Sequence, residues 1–144
     1  MDKVIVERKL DSLRRCLARL HAKAPSDVTQ LRADIDLQDV LVLNLSRAVQ
    51  LCVDMAAHVI AGQAWPPPNT MGEAFDRLAE HGLIPADLAL RLKQAVGFRN
   101  VAVHAYDTLD WDIVFAISTR YLGDFEAFAR MIARQLDGDA VTAR

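Results

Sequence analysis

The fold of this chain is decided by one long stretch, residues 28–61, which reads VTQLRADIDLQDVLVLNLSRAVQLCVDMAAHVIA. A single helix of that length is unusual in a globular protein, so we expect it to bend or to pack partly against a second chain. Apolar residues off the main stripe, such as Leu41, Leu43 and Leu51, indicate packing partners on more than one side. The main stripe has the three- or four-residue spacing of one helix face and consists of Val28, Leu31, Ile35, Val42, Leu45, Val49, Cys52, Ala56 and Ile60.

The segments on either side of this stretch have the same helical periodicity. No run of alternating β-branched residues bounded by turns predicts a strand. We therefore expect an all-α, up-and-down bundle of about five helices. It forms a single domain over residues 1–144, with 137–144 as a flexible tail. Besides the long central helix, the predicted helices are about Lys3–His21, Met71–His81, Ala86–Val101 and Trp111–Leu136.

Composition and charge narrow the class of protein. Hydrophobic residues make up 52% of the chain and charged residues 25%, which is ordinary for a soluble globular protein. The net charge of −2 argues against binding nucleic acid through a broad basic surface, although a nuclease needs only a local cationic site. The N-terminus has no signal-peptide hydrophobic core. The longest uncharged run, Met55 to Gly72, is interrupted by prolines, so we expect a cytoplasmic protein.

Four polar side chains cluster unexpectedly at Arg99, Asn100, His104 and Tyr106. On an ideal helix Asn100 and His104 share one face, and Arg99 and Tyr106 lie on a neighbouring stripe. Such a set is also compatible with a solvated helix face, and a histidine near a helix C-terminus is favoured by the helix dipole alone. The Arg-x4-His spacing by itself is therefore a weak signal.

The chemistry of this set suits metal-independent cleavage of RNA. The 2′-hydroxyl can attack the neighbouring phosphorus if its proton is removed and the leaving 5′-oxygen is protonated, and imidazole can transfer both protons. The guanidinium of Arg99 suits the negative charge that develops on the phosphoryl oxygens. Asn100 could orient His104 or contact a phosphate. One arginine and one histidine make only half of such a site, so we expect a two-fold dimer to supply the second histidine.

The segment Phe98-Arg-Asn-Val-Ala-Val-His-Ala-Tyr106 resembles the Phe-Arg-Asn-x-x-x-His-x-Tyr signature of HepT-type HEPN toxins. Residues 48–58, 71–78 and 82–85 resemble the helices and turn that precede it, and the resemblance covers about residues 41–114. It implies a helical bundle that dimerises with paired motifs across the interface. It also implies a ribonuclease in which Arg99 and His104 are catalytic and Asn100 supports them.

The same resemblance implies a partner, an MntA-type nucleotidyltransferase antitoxin that adds AMP to the motif tyrosine, here Tyr106. The RNA could be tRNA or mRNA. The histidines show no metal-ligand spacing with cysteines or carboxylates, so we expect no metal or other cofactor. Two alternatives stay open. One is a non-catalytic HEPN module that docks a nucleotidyltransferase or its substrate, and the other is a helical dimerisation scaffold.

Overall fold

A computed structural model describes the backbone of residues 1–142 and the side chains of residues 1–138. No strand occurs in the described part of the chain, so the all-α prediction is confirmed. One short 3-10 turn, Tyr106–Thr108, separates the fifth and sixth helices. The α-helices are α1 (Lys3–Lys23), α2 (Val28–Ala33), α3 (Ile35–Gly62), α4 (Met71–Glu80), α5 (Ala86–His104), α6 (Trp111–Ser118) and α7 (Leu122–Thr142).

The long stretch that decides the fold forms two helices, α2 and α3, instead of one. Asp34 lies between α2 and α3 in an extended conformation, with φ −123° and ψ 98°. Its carboxylate accepts a hydrogen bond from the Leu37 amide at 3.0 Å and so caps α3. A short acidic side chain that satisfies a free amide favours a helix start over continuation. The helix predicted over residues 28–61, which was expected to bend or to pack against a second chain, is therefore interrupted at Asp34.

The predicted helix Trp111–Leu136 is also divided, into α6 and α7. The hydroxyls of Ser118 and Thr119 both donate to the Phe115 carbonyl, at 3.2 and 2.6 Å. The Phe115 carbonyl also accepts the Thr119 amide at 3.1 Å, whereas the next carbonyl, Ala116, accepts from the Tyr121 amide at 2.9 Å, one residue beyond the α-helical partner. Thr119 leaves the helical conformation with φ −122° and ψ −73°. At the other end, α7 is helical as far as Thr142. The flexibility expected for residues 137–144 stays a prediction, and 143–144 lie outside the described residues.

Helix α3 is the centre of the bundle and contacts α1, α2, α4, α5, α6 and α7. Its length and apolar composition would also suit a membrane span, yet 56% of that apolar window is buried inside the protein. The need to pack against neighbours on several sides explains the apolar residues off its main stripe. Phe75 of α4 and Phe128 of α7 close the core in an edge-to-face contact, with ring centroids 5.8 Å apart.

Ion pairs tie the ends of the helices together around the fifth and sixth helices. Arg32 of α2 pairs with Asp112 of α6 at 2.9 Å. Arg91 of α5 pairs with Asp124 of α7 at 3.0 Å. The start of α6 is capped by Asp110, whose carboxylate accepts a hydrogen bond from the Asp112 amide at 2.9 Å. The polar cluster lies at the end of α5 and in the connection from α5 to α6.

Candidate functional site

The polar cluster is divided between the end of α5 and the turn that follows it. Helix α5 continues through His104, three residues beyond its predicted end at Val101. Ala105 then leaves the helix with φ −150° and ψ 50°, and Tyr106 begins the 3-10 turn. The prediction that Tyr106 shares a helix stripe with Arg99 is therefore wrong, because the helix ends before the tyrosine.

The arginine of the cluster is held by its neighbour. Buried Phe98 anchors this turn of α5 in the core, and Arg99 and Asn100 are half-buried beside it. The Arg99 guanidinium donates from Nη1 to the Asn100 side-chain oxygen at 3.3 Å. No carboxylate within residues 1–138 forms an ion pair with Arg99, so its charge is available to an anion from outside. Asn100 orients the cation, whereas a hydrogen bond from Asn100 to His104 is not observed.

The imidazole of His104 is exposed in the last turn of α5. It makes no hydrogen bond or ion pair with the described side chains, which leaves both ring nitrogens open to a ligand. A single chain thus presents one cation and one proton carrier on an open surface. Within the described residues, no group of three or more His, Cys, Asp or Glu side chains could hold a metal ion.

Tyr106 is held by two contacts that bring distant parts of the chain together. Its hydroxyl donates to Oδ1 of Asp39 on α3 at 2.6 Å, across 67 positions in sequence. Its ring meets the Trp111 ring edge-on, with centroids 6.2 Å apart. Partial burial, the hydrogen bond to Asp39 and the charge of that carboxylate raise the pKa of Tyr106 to about 12. The side chain nevertheless keeps 36% of its surface exposed.

Sequence reasoning missed Asp39. It is one of several acidic residues in the polar positions at the start of α3, and nothing local distinguishes it from Asp36. Only the tertiary approach of α3 to the turn after α5 gives it a partner. A signal for this contact would have required knowledge of which helices are neighbours.

An apolar groove of about 660 Å³ opens beside the cluster, between α5, α6 and α7. Val101, Ile113 and Tyr121 line it although they are 37%, 51% and 41% exposed, so the groove presents apolar surface to solvent. Gly97 and Val101 of its wall lie on the same face of α5 as His104, at helical spacing. Apolar surface of this kind next to polar functional groups is typical of an interaction site.

Comparison with known proteins gives a consistent result. Residues 9–132 match a family model described as "Ribonuclease HepT-like". The chain is 37% identical over 128 residues to the mRNA nuclease HepT of Shewanella oneidensis, covering 89% of this chain and 96% of that protein. It is 24% identical over 132 residues to the tRNA nuclease HepT of Aphanizomenon flos-aquae, covering 92% and 90%.

A solved structure extends the similarity to three dimensions. The tri-AMPylated HEPN toxin of Shewanella oneidensis, in complex with MNT antitoxin, superposes with a TM-score of 0.84 at 35% identity. The match covers 93% of this chain and 98% of the toxin chain. The described helices therefore have the arrangement of a HEPN toxin over nearly their whole length.

Proposed function

The chain belongs to the HepT-like ribonuclease family, and from this premise we propose that it is the RNA-cleaving toxin of a toxin–antitoxin pair. Arg99 and His104 are its catalytic residues, and Asn100 supports Arg99. The observation that carries this proposal is an unneutralised guanidinium and an unpartnered imidazole on one exposed helix end. Arg99 is half-buried and has no carboxylate partner among the described residues, so its guanidinium can receive an external phosphate.

In the proposed reaction, one imidazole removes the proton of the RNA 2′-hydroxyl. The oxygen forms a bond to phosphorus, the bond to the 5′-oxygen breaks, and a second imidazole donates a proton to that leaving oxygen. Guanidinium groups stabilise the charge on the phosphoryl oxygens, and loss of one such donor typically costs on the order of 10²–10³ in rate. This chemistry needs no metal or cofactor.

The second imidazole comes from a second copy of the chain. One chain offers a single histidine in the cluster, and the apolar groove on the same side supplies surface for a homodimer. In a two-fold dimer the two His104 side chains lie on opposite sides of one RNA strand. A larger assembly that contains this dimer is compatible with the same site.

The partner is an MntA-type nucleotidyltransferase antitoxin that transfers AMP to Tyr106. Tyr106 follows His104 by two residues and is partly exposed, so an enzyme can reach its hydroxyl. An attached AMP places bulk and a negative phosphate near Arg99 and His104, where it competes with the RNA phosphate. The solved relative carries AMP in complex with MNT antitoxin, which supports the same regulation here.

Two further features belong to the proposal. The chain acts in the cytoplasm, where its RNA substrate and an ATP-dependent partner are found; tRNA and mRNA are both candidate substrates, as the two relatives' names suggest. Residues 1–144 act as one domain. The central position of α3 supports this, because that helix contacts all six of the other α-helices in the described part of the chain.

The direct test is cleavage of RNA by purified protein in EDTA. We expect Arg99→Ala and His104→Ala to reduce cleavage by at least about 10²-fold with unchanged thermal stability. Arg130→Ala is a matched control, since Arg130 is an exposed cation of α7 outside the cluster. Wild-type cleavage no faster than that of either cluster variant would favour the non-catalytic binding module instead.

A further inference from the structure

We propose that Asp39 is the general base that accepts the Tyr106 proton when AMP is transferred to that phenol. This inference rests on the proposed regulation by a nucleotidyltransferase. It adds that the toxin itself supplies a catalytic group for its own silencing. The partner would then need to bring only the nucleotide and the ions that bind it.

The phenol of Tyr106 already points its proton at Asp39. The Tyr106 hydroxyl donates to Asp39 Oδ1 at 2.6 Å, the short distance expected for a hydroxyl bonded to a carboxylate. Asp39 is the hydrogen-bond acceptor of this phenol within residues 1–138. The Trp111 ring restrains the tyrosine from a second side. The proton that must leave is therefore already directed at a base.

The phenol of Tyr106 is a poor nucleophile while it keeps its proton. The pKa of Tyr106 is raised to about 12 by burial and by Asp39. At pH 7 only about one phenol in 10⁵ would be ionised, so attack by preformed phenolate would be rare. Proton removal during attack avoids this intermediate, and a positioned base typically contributes 10²–10⁴-fold. Asp39 helps to keep free phenolate rare by raising the pKa of Tyr106. The same carboxylate is placed to remove the phenolic proton while the oxygen attacks phosphorus.

The reaction balances with a nucleoside triphosphate as the only co-substrate. The Tyr106 oxygen forms a bond to the α-phosphorus. The bond from that phosphorus to the oxygen bridging the β-phosphate breaks, and pyrophosphate leaves with the electron pair. The phenolic proton moves to Asp39 Oδ1 and then to water. The modified oxygen has no proton left to donate, so the hydrogen bond to Asp39 is lost.

The charged groups around this pair determine how the test is run. Arg32 and Asp112 neutralise each other between α2 and α6, whereas Asp36 of α3 and Asp107 of the turn are exposed. His104 lies two residues before Tyr106 and has no partner among the described side chains. Assays are run between about pH 7.5 and 9.5, below the ordinary phenol pKa of about 10, so that free phenolate stays the minor form throughout.

The experiment measures AMP addition to the full chain by its proposed MntA-type nucleotidyltransferase partner, with ATP, using single-turnover kinetics and intact-mass detection. We expect Asp39→Asn to slow modification of Tyr106 by about 10²-fold. The rate of this variant should also rise about tenfold per pH unit, because it depends on free phenolate. The wild-type rate should be nearly flat over the same range. Asp36→Asn, one turn earlier on α3, is the matched control and should behave as wild type.

The outcomes separate the two levels of the proposal. Asparagine can still accept the hydrogen bond and hold the ring, so a purely positioning role predicts a near-wild-type rate with no pH slope in Asp39→Asn. That result would overturn the general-base role alone. No modification of the wild-type chain would instead overturn the proposed regulation, and the base role with it. Thermal melting of each variant checks that it is folded.

Discussion

The guanidinium of Arg99 donates to the side-chain oxygen of Asn100 at 3.3 Å, and this contact joins adjacent residues of α5. The cation is therefore oriented by a neutral group that leaves its charge intact. A carboxylate in the same place would hold the guanidinium as well, but would neutralise it. The uncharged amide of Asn100 therefore leaves the positive charge of Arg99 available to an external phosphate.

The first prediction follows from this contact. Asn100→Asp changes little in shape but places a negative charge against Arg99, so RNA cleavage should fall by about 10–100-fold through loss of phosphate stabilisation. Asn100→Ala removes only the orienting bond and should have a smaller effect. Cleavage rates and melting temperatures measured together check this. Equal activity of Asn100→Asp and wild type would mean that Arg99 does not meet a phosphate.

The second prediction concerns the ionisation of Tyr106. The chain has two tyrosines, so Tyr121→Phe leaves Tyr106 as the only phenol to follow by its ultraviolet absorbance. Its midpoint should lie near the pKa of about 12. Adding Asp39→Asn should move the midpoint towards the ordinary value of about 10, but not fully, because burial is the largest cause of the shift. The same midpoint with and without Asp39→Asn would show that the hydrogen bond does not persist in solution.

The third prediction concerns stability at alkaline pH. The pKa of Tyr106 is raised in the folded chain to about 12, whereas an unfolded tyrosine ionises near pH 10. The neutral phenol therefore stabilises the fold fully below about pH 10, and this contribution is lost as the pH rises towards about 12. In urea unfolding experiments across this range, the free energy of unfolding should fall more steeply with pH for wild type than for Tyr106→Phe. Parallel curves would contradict it.

The fourth prediction tests the groove as the dimer surface. Ile113 is 51% exposed on the groove wall, so Ile113→Asp should prevent association with little effect on the fold of the single chain. Light scattering should then report a monomer, and RNA cleavage should be lost because the second His104 is missing. Val4→Asp replaces a comparably exposed residue of α1 and should remain dimeric and active. A dimeric, active Ile113→Asp would place the interface elsewhere.

The fifth prediction concerns the break in the central stretch. Asp34→Ala removes the cap of α3 and should lower the free energy of unfolding by about 1 kcal/mol. Asp36→Ala, within the first turn, loses only a favourable dipole contact and should cost about half as much or less. Urea denaturation of both variants gives the comparison. Equal effects would mean that the capping bond does not set the helix boundary.

Most of the fold could be predicted because each helix buries one face, and the apolar residues of that face recur at helical spacing in the sequence. The positions of the two helix breaks could not be predicted, since the apolar spacing continues through Asp34 and through Thr119. There the outcome depends on hydrogen bonds between side chains and the backbone: the Asp34 carboxylate accepts from an amide, and the Ser118 and Thr119 hydroxyls donate to a carbonyl. In the site, Arg99, Asn100 and His104 were found from their residue types and motif, and their catalytic roles stay predictions. Asp39 could not be found, because its partner lies 67 positions away.

The end of α5 at Ala105 has one more consequence. The residues proposed to cut RNA belong to a rigid helix, whereas the residue proposed to receive AMP belongs to a short turn outside it. An insertion or deletion in that turn would shift Tyr106 relative to Asp39 without rotating His104 about the helix axis. Related chains can therefore differ in how readily the tyrosine receives AMP while the arginine and histidine keep the same relative positions.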